Sequence, residues 1–210
     1  MTNVNAVDHP LIRHHVTRLR SVETKPEEFR TLVGRLAVLL AYEATQDLQL
    51  TSTEVETPLV TTSGHKLSER IGLVPILRAG LGMIDPVLNL LPSAEVWHLG
   101  LYRDESTAQP VEYYSKIPAN QPVDVALVLD PMLATGGSAV AALTTLKNWG
   151  VPCVKLLSVI AAPEGIEFVK SEVPDAQIFV CAVDKKLNSQ KFIVPGLGDA
   201  GDRIFNTRHE

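Results

Sequence analysis

The residues best suited to chemistry follow an apolar run that has the pattern of a buried strand. Asp130 ends the run Val125–Leu129, and Thr135–Ser138, reading Thr-Gly-Gly-Ser, precedes a helical pattern. Glycines let the backbone approach a ligand closely, and free N–H groups at a helix start bind anions. A carboxylate beside such a cradle repels phosphate, so we expect Asp130 to face sugar hydroxyls or a metal. The pattern therefore fits a ribose 5-phosphate.

This loop matches neither of two common nucleotide-binding motifs. It lacks the Gly-Lys-Ser/Thr ending of a Walker loop, and no G-x-G-x-x-G opens the helix. The alternative is an ordinary strand–turn–helix connection whose glycines only make the turn.

Two arginines follow other predicted strands. Arg78 ends the predicted strand 73–77, and its guanidinium could fork onto phosphate oxygens; the alternative is a surface arginine before a helix. Arg103 follows the predicted strand 95–102 and opens a polar segment that reaches about Ala119. A connection of that length is usually functional or disordered.

Motifs along nearly the whole chain resemble one family. Asp130–Ser138 resembles the phosphoribosyl-pyrophosphate loop of type I phosphoribosyltransferases, and its Asp130-Pro131 pair resembles the uracil phosphoribosyltransferase variant. The segment 194–203 is similar to that family's uracil-binding segment. Further similar stretches are 9–12, 42–45, 55–58, 75–83 and 102–105. The chain departs from the family at Pro86, where a glycine is expected, and at Phe192, where a tyrosine is expected.

The resemblance implies specific site residues. Catalytic roles fall to Asp130, Arg78 and Arg103. The phosphoribosyl donor would meet Arg78, Arg103, Asp130, Pro131, Met132, Leu133, Ala134, Thr135, Gly136, Gly137, Ser138 and Asp199. Uracil would meet Ile193, Gly198, Asp199 and Ala200. Mg²⁺ would bind through the substrate, without direct protein ligands, and Asp199 would place one of its waters. The segment after Arg103 would be a mobile loop over the site.

The glycine-rich stretch Gly196–Gly201 carries few side chains that could read a base, so the backbone must do so. Uracil presents two carbonyl acceptors and one N–H donor, which a turn can match with two donors and one acceptor. Cytosine carries an amine in place of one uracil carbonyl, so its N–H donor would face a backbone donor. Such a mismatch can favour uracil over cytosine by a factor of roughly 10⁴–10⁵ at best. The alternative is a flexible glycine turn.

Composition favours one globular domain over residues 1–210. The chain has 210 residues, a net charge of −5 and a pI of about 5.7, which argues weakly against nucleic acid as a partner. No apolar run reaches the ~18 residues that span a bilayer, and no signal-peptide core is visible. Cys153 and Cys181 lie in apolar runs and are predicted to be buried thiols, as expected in the cytoplasm. The spacing of His9, His14 and His15 fits neither a zinc finger nor a helical H-x-x-x-H pair, so we expect a surface position or a subunit contact.

Apolar periodicity predicts an α/β fold. Thr24 and Glu27 suggest a capping box that opens a helix over 26–48. Further helices are predicted over 81–91, after Ser138 until Gly150, and near 164–172. Strands are predicted over 73–77, 95–102, 125–129, 154–160 and 178–183. Alternating strands and helices imply a mainly parallel sheet flanked by helices, here the type I phosphoribosyltransferase fold, with a C-terminal hood over about 185–210.

Three interpretations remain open. The first is an enzyme that joins uracil to the phosphoribosyl donor and forms a homo-oligomer (dimer or tetramer), with GTP as a candidate activator. The second is a pyrimidine-sensing RNA-binding regulator on the same fold, which a salt-sensitive gel shift would reveal. The third is a purine phosphoribosyltransferase, which base competition would separate.

Overall fold

A computed structural model describes residues 4–103, 110–115 and 121–207, with the backbone alone for 99–103 and 110–115. The helices and strands alternate along most of the chain. In chain order they are β1 (Val4–Ala6), α1 (Pro10–Arg20), α2 (Pro26–Ala44), β2 (Leu50–Glu56), β3 (Thr61–Leu67), β4 (Ile71–Pro75), α3 (Leu81–Leu90), β5 (Glu95–Val96), β6 (Leu99–Arg103), β7 (Pro110–Ser115), β8 (Val125–Leu129), β9 (Met132–Leu133), α4 (Gly137–Trp149), β10 (Cys153–Ala161), α5 (Pro163–Glu172), β11 (Gln177–Val183), β12 (Lys186–Leu187), β13 (Ile193–Val194) and α6 (Ala200–Phe205).

A parallel sheet forms the centre of the molecule. Its strand order is β1-β11-β10-β8-β4-β5, and β9 adds a short pairing to β10. All of these pairings are parallel, and β8 lies in the middle with Leu129 opposite Pro75 on β4 and Leu157 on β10. The carboxyl ends of these strands therefore lie along one edge of the sheet, as predicted.

The sheet is buried on both faces. Along β8, Val125, Leu127 and Leu129 pack into one hydrophobic cluster with α1, α2, α3 and the C-terminal segment. Ala126 and Val128 point to the other face and pack with α4 and α5. Because side chains alternate along a strand, an unbroken apolar run is what two covered faces require.

Some predicted boundaries are wrong. Helix α2 ends at Ala44 instead of residue 48, because the buried Lys155 ammonium donates to the Ala44 carbonyl (2.7 Å) and also contacts Asp47. The capping box is absent: Lys25 is the N-cap, and the Thr24 hydroxyl donates to the Arg18 carbonyl (2.5 Å). The predicted strand 73–77 lies at Ile71–Pro75.

Other elements were split or not foreseen. The predicted strand 95–102 forms two strands, β5 in the central sheet and β6 in a separate ribbon with β7. The polar β2–β3 hairpin, the helix α1 and the strand β1 had no sequence prediction. Cys153 and Cys181 are free and half-buried, and burial raises the pKa of Cys181 to about 12. None of the described helices is long and apolar enough to cross a membrane.

Candidate active site

The predicted phosphate loop lies at the carboxyl end of β8 and leads into α4. Gly136 is the N-cap residue with φ of 86°, a left-handed conformation that favours glycine, and the helix begins at Gly137. The loop encloses a concavity of about 80 Å³ lined by Asp130 and residues 132–139. Unpaired N–H groups of a first helical turn point into such a space, so the loop can hold a phosphate.

Asp130 is the carboxylate of this concavity. Its Oδ1 accepts a hydrogen bond from the Met132 N–H at 3.3 Å. Burial raises the pKa of Asp130 from 3.8 to about 7, and the Met132 hydrogen bond opposes that rise. The group therefore changes charge near neutral pH, as is typical of functional sites.

Helix α5 packs closely against the phosphate loop. A Cβ placed on Gly165 would lie 2.4 Å from the Ala134 carbonyl oxygen and 3.0 Å from that of Leu133. The Ala162 N–H also donates to the Leu133 carbonyl at 2.9 Å. Only a glycine allows this approach, yet nothing in the sequence around Gly165 distinguished it from a helical residue of no special role.

Arg78 lies in the turn after β4, beside the end of β8. The Ile76 N–H donates to the Leu129 carbonyl at 3.0 Å, and a Cβ on Gly80 would lie 2.3 Å from that oxygen. The turn contains a cis peptide between Leu77 and Arg78. The Arg78 guanidinium donates to Asp202 Oδ1 at 3.2 Å, a contact that the sequence did not predict.

Arg103 ends β6, where its backbone pairs with Pro110 of β7. The Arg103 side chain and residues 104–109 and 116–120 lie outside the described part of the chain, so its predicted role and the predicted loop closure are untested. The segment from Arg103 to about Ala119, predicted as one polar loop, contains the strand Pro110–Ser115, which pairs antiparallel with Leu99–Arg103.

The predicted base-binding residues lie in the C-terminal segment 185–207, which we call the hood. Gly196 and Gly198 have φ of 68° and 79°, and a cis peptide precedes Pro195. Gly198 is exposed, whereas Ile193 packs in the core below it. Asp199 is the N-cap of α6, and its Oδ1 accepts from the Asp202 N–H at 2.9 Å. Ala200 is buried at the start of that helix.

Two arginines anchor the hood to the N-terminal helices. Arg20 donates to Asp184 (2.7 Å to Oδ2) and to the Gly196 carbonyl (2.7 Å), and the Gly196 N–H donates to Asp184 Oδ2 (2.9 Å). Arg203 donates to the carbonyls of Leu19 and Leu197 at 2.8 Å and stacks 4.3 Å from the Phe29 ring. No local sequence pattern marks these anchors, since their partners are distant in the chain.

The hood and the Arg78 turn meet at the carboxyl edge of the sheet. A Cβ on Gly201 would lie 3.2 Å from Asp199 Oδ1, 3.7 Å from Arg78 Nη2 and 4.0 Å from Ala79 Cβ. Gly82 packs against Ile204 of α6. The structure therefore brings Arg78 and Asp199 together beside β8, whose end carries Asp130 and the phosphate loop.

The fold and this loop define the class of protein. A hypoxanthine phosphoribosyltransferase structure from Staphylococcus aureus, 10% identical, covers 86% of this chain and 84% of its own with a TM-score of 0.51, a likeness of fold alone. A structure of a protein from Aquifex aeolicus is 38% identical in sequence. It covers 99% of this chain and 100% of its own, with a TM-score of 0.92. The chain has the type I phosphoribosyltransferase fold.

Sequence comparisons narrow the class to one family. The family model described as uracil phosphoribosyltransferase matches residues 6–207. The uracil phosphoribosyltransferase of Roseiflexus sp. (strain RS-1) is 57% identical over 207 residues, 99% of this chain and 100% of that protein. That of Finegoldia magna is 53% identical over 209 residues, with the same coverage. The chain belongs to the uracil phosphoribosyltransferase family, whose members are pentosyltransferases.

Proposed function

We propose that this enzyme converts uracil and 5-phosphoribosyl 1-pyrophosphate to UMP and pyrophosphate, a reaction of pyrimidine salvage. The observation that carries the proposal is the loop Asp130–Ser138, which combines a helix-start phosphate cradle with a carboxylate at the carboxyl end of the central strand. A phosphate and the hydroxyls of one sugar require that combination of donors and acceptor.

The donor would bind with its 5-phosphate on residues 131–138 and its ribose hydroxyls on Asp130. As the bond to pyrophosphate breaks, positive charge grows on the ribose and negative charge on the leaving group. The Asp130 carboxylate would stabilise the positive charge on the ribose. The guanidinium groups of Arg78 and Arg103 would stabilise the negative charge on the pyrophosphate. Arg78 supports this role, since its side chain is 55% exposed beside the loop.

Uracil would lie against the hood backbone at Ile193 and Gly198–Ala200. The left-handed Gly198 and the N-cap Asp199 present main-chain groups with no large side chain between them and a ligand. No general base for the uracil N1–H is assigned, so catalysis would rest on positioning and electrostatics.

We propose that Mg²⁺ accompanies the phosphoribosyl donor. Its preference for oxygen ligands and retained waters fits a site where the pyrophosphate and ribose supply oxygens and Asp199 contacts a bound water. Within the described ranges, no group of three His, Cys, Asp or Glu side chains could hold a metal ion. When bound, magnesium would neutralise charge on the leaving pyrophosphate.

The remaining proposals concern assembly, regulation and location. We propose a cytoplasmic homo-oligomer, dimer or tetramer, and the β2–β3 hairpin supports self-association because Leu59 and Val60 near its turn are 95% and 66% exposed. Activation by GTP remains a prediction. Sedimentation at several protein concentrations tests assembly, and the initial rate with and without GTP tests activation.

The test of base choice is an assay with labelled uracil, with and without the donor and Mg²⁺. Nucleotide should form only when the donor and the metal are both present, and unlabelled cytosine or hypoxanthine should not compete. Efficient competition by hypoxanthine would favour a purine enzyme instead.

A further inference from the structure

An ion pair joins the Arg78 turn directly to the hood. Arg78 Nη2 lies 3.2 Å from Asp202 Oδ1, and the two side chains are 55% and 13% exposed. A guanidinium carries five N–H donors in a fixed plane, so one edge can stay on Asp202 while another faces a ligand. The contact thus fixes the orientation of an arginine that remains accessible.

Asp202 is itself held by the first turn and the end of α6. Its N–H donates to Asp199 Oδ1 at 2.9 Å, and its Oδ1 accepts from the Thr207 hydroxyl at 2.5 Å. Gly201, between these two acids, lies against Arg78. Asp202 is therefore linked by a hydrogen bond to Asp199 of the turn Gly198–Ala200.

We propose that Asp202 is a positioning residue that aims Arg78 at the donor's pyrophosphate and couples its binding to uracil on the hood. The inference rests on the proposed function, in which Arg78 meets pyrophosphate and Gly198–Ala200 meet uracil. Uracil would order the first turn of α6, which fixes Asp202 and through it Arg78. Coupling between two binding sites is reciprocal, so pyrophosphate must favour uracil by the same factor.

The first test measures the binding of Mg²⁺-pyrophosphate by calorimetry. Asp202→Asn keeps the size and an acceptor for Arg78 but removes the charge, and we expect about tenfold weaker binding, the loss of one charge-assisted hydrogen bond. The matched control is Glu95→Gln, which breaks the Arg70–Glu95 pair (2.6 Å) at the opposite end of β4. The control should bind pyrophosphate like the wild type.

The pyrophosphate affinity of the Asp202→Asn variant can also contradict the proposal. Equal or tighter binding by Asp202→Asn would show that the carboxylate only competes with pyrophosphate for Arg78, and would overturn the proposal. If Asp202→Asn does not fold, Asp202→Glu and Asp202→Gln replace it, since they match in size and differ in charge. Only the glutamate variant should retain pyrophosphate binding.

The second test measures coupling at equilibrium, which is possible because uracil and pyrophosphate cannot react with each other. Saturating uracil should tighten pyrophosphate binding about fivefold in the wild type, at the lower end of typical couplings. Asp202→Asn should lose this effect. The proposal is wrong if the wild type shows no coupling or if the variant keeps it, because a purely structural Asp202 would not change it.

Arg78→Gln separates this inference from the proposed function. If Arg78→Gln binds pyrophosphate normally, the assignment of Arg78 to the donor site is wrong. If Arg78→Gln weakens pyrophosphate binding but Asp202→Asn does not, the donor site stands and the positioning role of Asp202 fails.

Discussion

At the scale of single residues, the central group is Asp130, a carboxylate whose charge is set by its surroundings. Burial raises its pKa to about 7, so near neutral pH much of the free protein carries it protonated. A growing positive charge on a ribose beside it, or a bound cation, favours the ionised form. The same desolvation strengthens its interaction with that charge.

Asp130→Asn tests this role. The change keeps the size and removes the charge, so we expect turnover to fall about 10²–10³-fold, the usual cost of one electrostatic stabiliser. In the wild type, kcat/KM for the donor should rise as pH increases through about 7, where Asp130 ionises. The variant should lack that rise, as steady-state rates from pH 5 to 9 would show. Unchanged turnover in a folded variant would contradict the assignment.

The two arginines make a separate prediction. Arg78→Ala and Arg103→Ala should each weaken donor binding about 10–100-fold and slow pyrophosphate departure, because each removes charge-assisted hydrogen bonds. Arg70→Ala is the control, since Arg70 precedes β4 at the edge of the sheet opposite Arg78. Donor affinity and rate near wild type in both variants would rule out their pyrophosphate role.

At the scale of elements, the close contact of helix α5 with the phosphate loop at Gly165 makes a prediction. Gly165→Ala would place a methyl group 2.4 Å from the Ala134 carbonyl, so the loop backbone must shift. We expect KM for the donor to rise about tenfold while KM for uracil changes little. Gly34→Ala is a matched helical control, since its Cβ would meet Pro86 at 2.8 Å in the α2–α3 contact. Steady-state kinetics on both variants test this prediction. Equal effects of Gly165→Ala and Gly34→Ala on the donor KM would contradict a specific role of the α5 contact.

The hood turn makes the second element-scale prediction. Gly198 has φ of 79°, which a β-branched residue rarely adopts, so Gly198→Val should remodel the turn and abolish uracil use while donor binding survives. Gly150→Val is the matched control, because Gly150 also has positive φ (102°) but ends α4, away from the hood. Calorimetry with the donor and rates with uracil separate the two effects.

The same hood turn predicts base choice. Because the backbone presents a fixed order of donors and acceptors, the wild-type enzyme should use uracil far better than cytosine, by up to about 10⁴–10⁵-fold. Efficient cytosine conversion, or normal uracil kinetics in the Gly198→Val variant, would show that the base is read elsewhere.

The sequence predicts an element well where local signals define it and poorly where a contact from a distant part of the chain does. The strand β8 and the Gly136 turn follow from local signals, an apolar run and a left-handed glycine, and both were found. The end of α2 was missed because the buried Lys155, more than a hundred residues away in the chain, donates to the carbonyl of its last residue, Ala44. The β2–β3 hairpin was missed because its side chains are mostly exposed and polar, so no apolar alternation marks it.

The same distinction holds for the candidate site. Asp130 and the loop glycines follow β8, and Arg78 follows β4, as their motifs indicated, while their binding roles stay predictions. Gly165, Asp202 and the anchor Arg20–Asp184 were missed as site elements, since each acts through a contact made in the folded chain. Such support residues carry no spacing signal of their own.

At the scale of the whole molecule, the ionised form of Asp130, which the proposed function needs, lowers the stability of the fold. Its pKa is raised on folding, so its contribution to stability is present below about pH 3.8 and is lost as pH rises through about 7. Asp130→Asn should therefore unfold at a higher temperature than wild type at pH 8 and at a similar one near pH 4. For a chain of this size, each kcal/mol corresponds to about 2–4 °C. Calorimetric scans without ligand at both pH values provide the measurement, and a variant less stable at pH 8 would contradict it.

Contacts of the hood join it to two other parts of the molecule. Arg20 and Arg203 tie it to the N-terminal helices, and Arg78 ties it to the turn after β4. If the donor and the base bind as proposed, both would act on these contacts at the carboxyl edge of the sheet.

The most direct test of the central claim is to follow both products of one reaction. Purified enzyme is mixed with uracil, 5-phosphoribosyl 1-pyrophosphate and Mg²⁺, and UMP and pyrophosphate are quantified by chromatography over time. UMP and pyrophosphate should appear in equal amounts, and the rate should fall at least about 10²-fold in Asp130→Asn. No UMP from folded wild-type enzyme, or UMP formation independent of Asp130, would contradict the account.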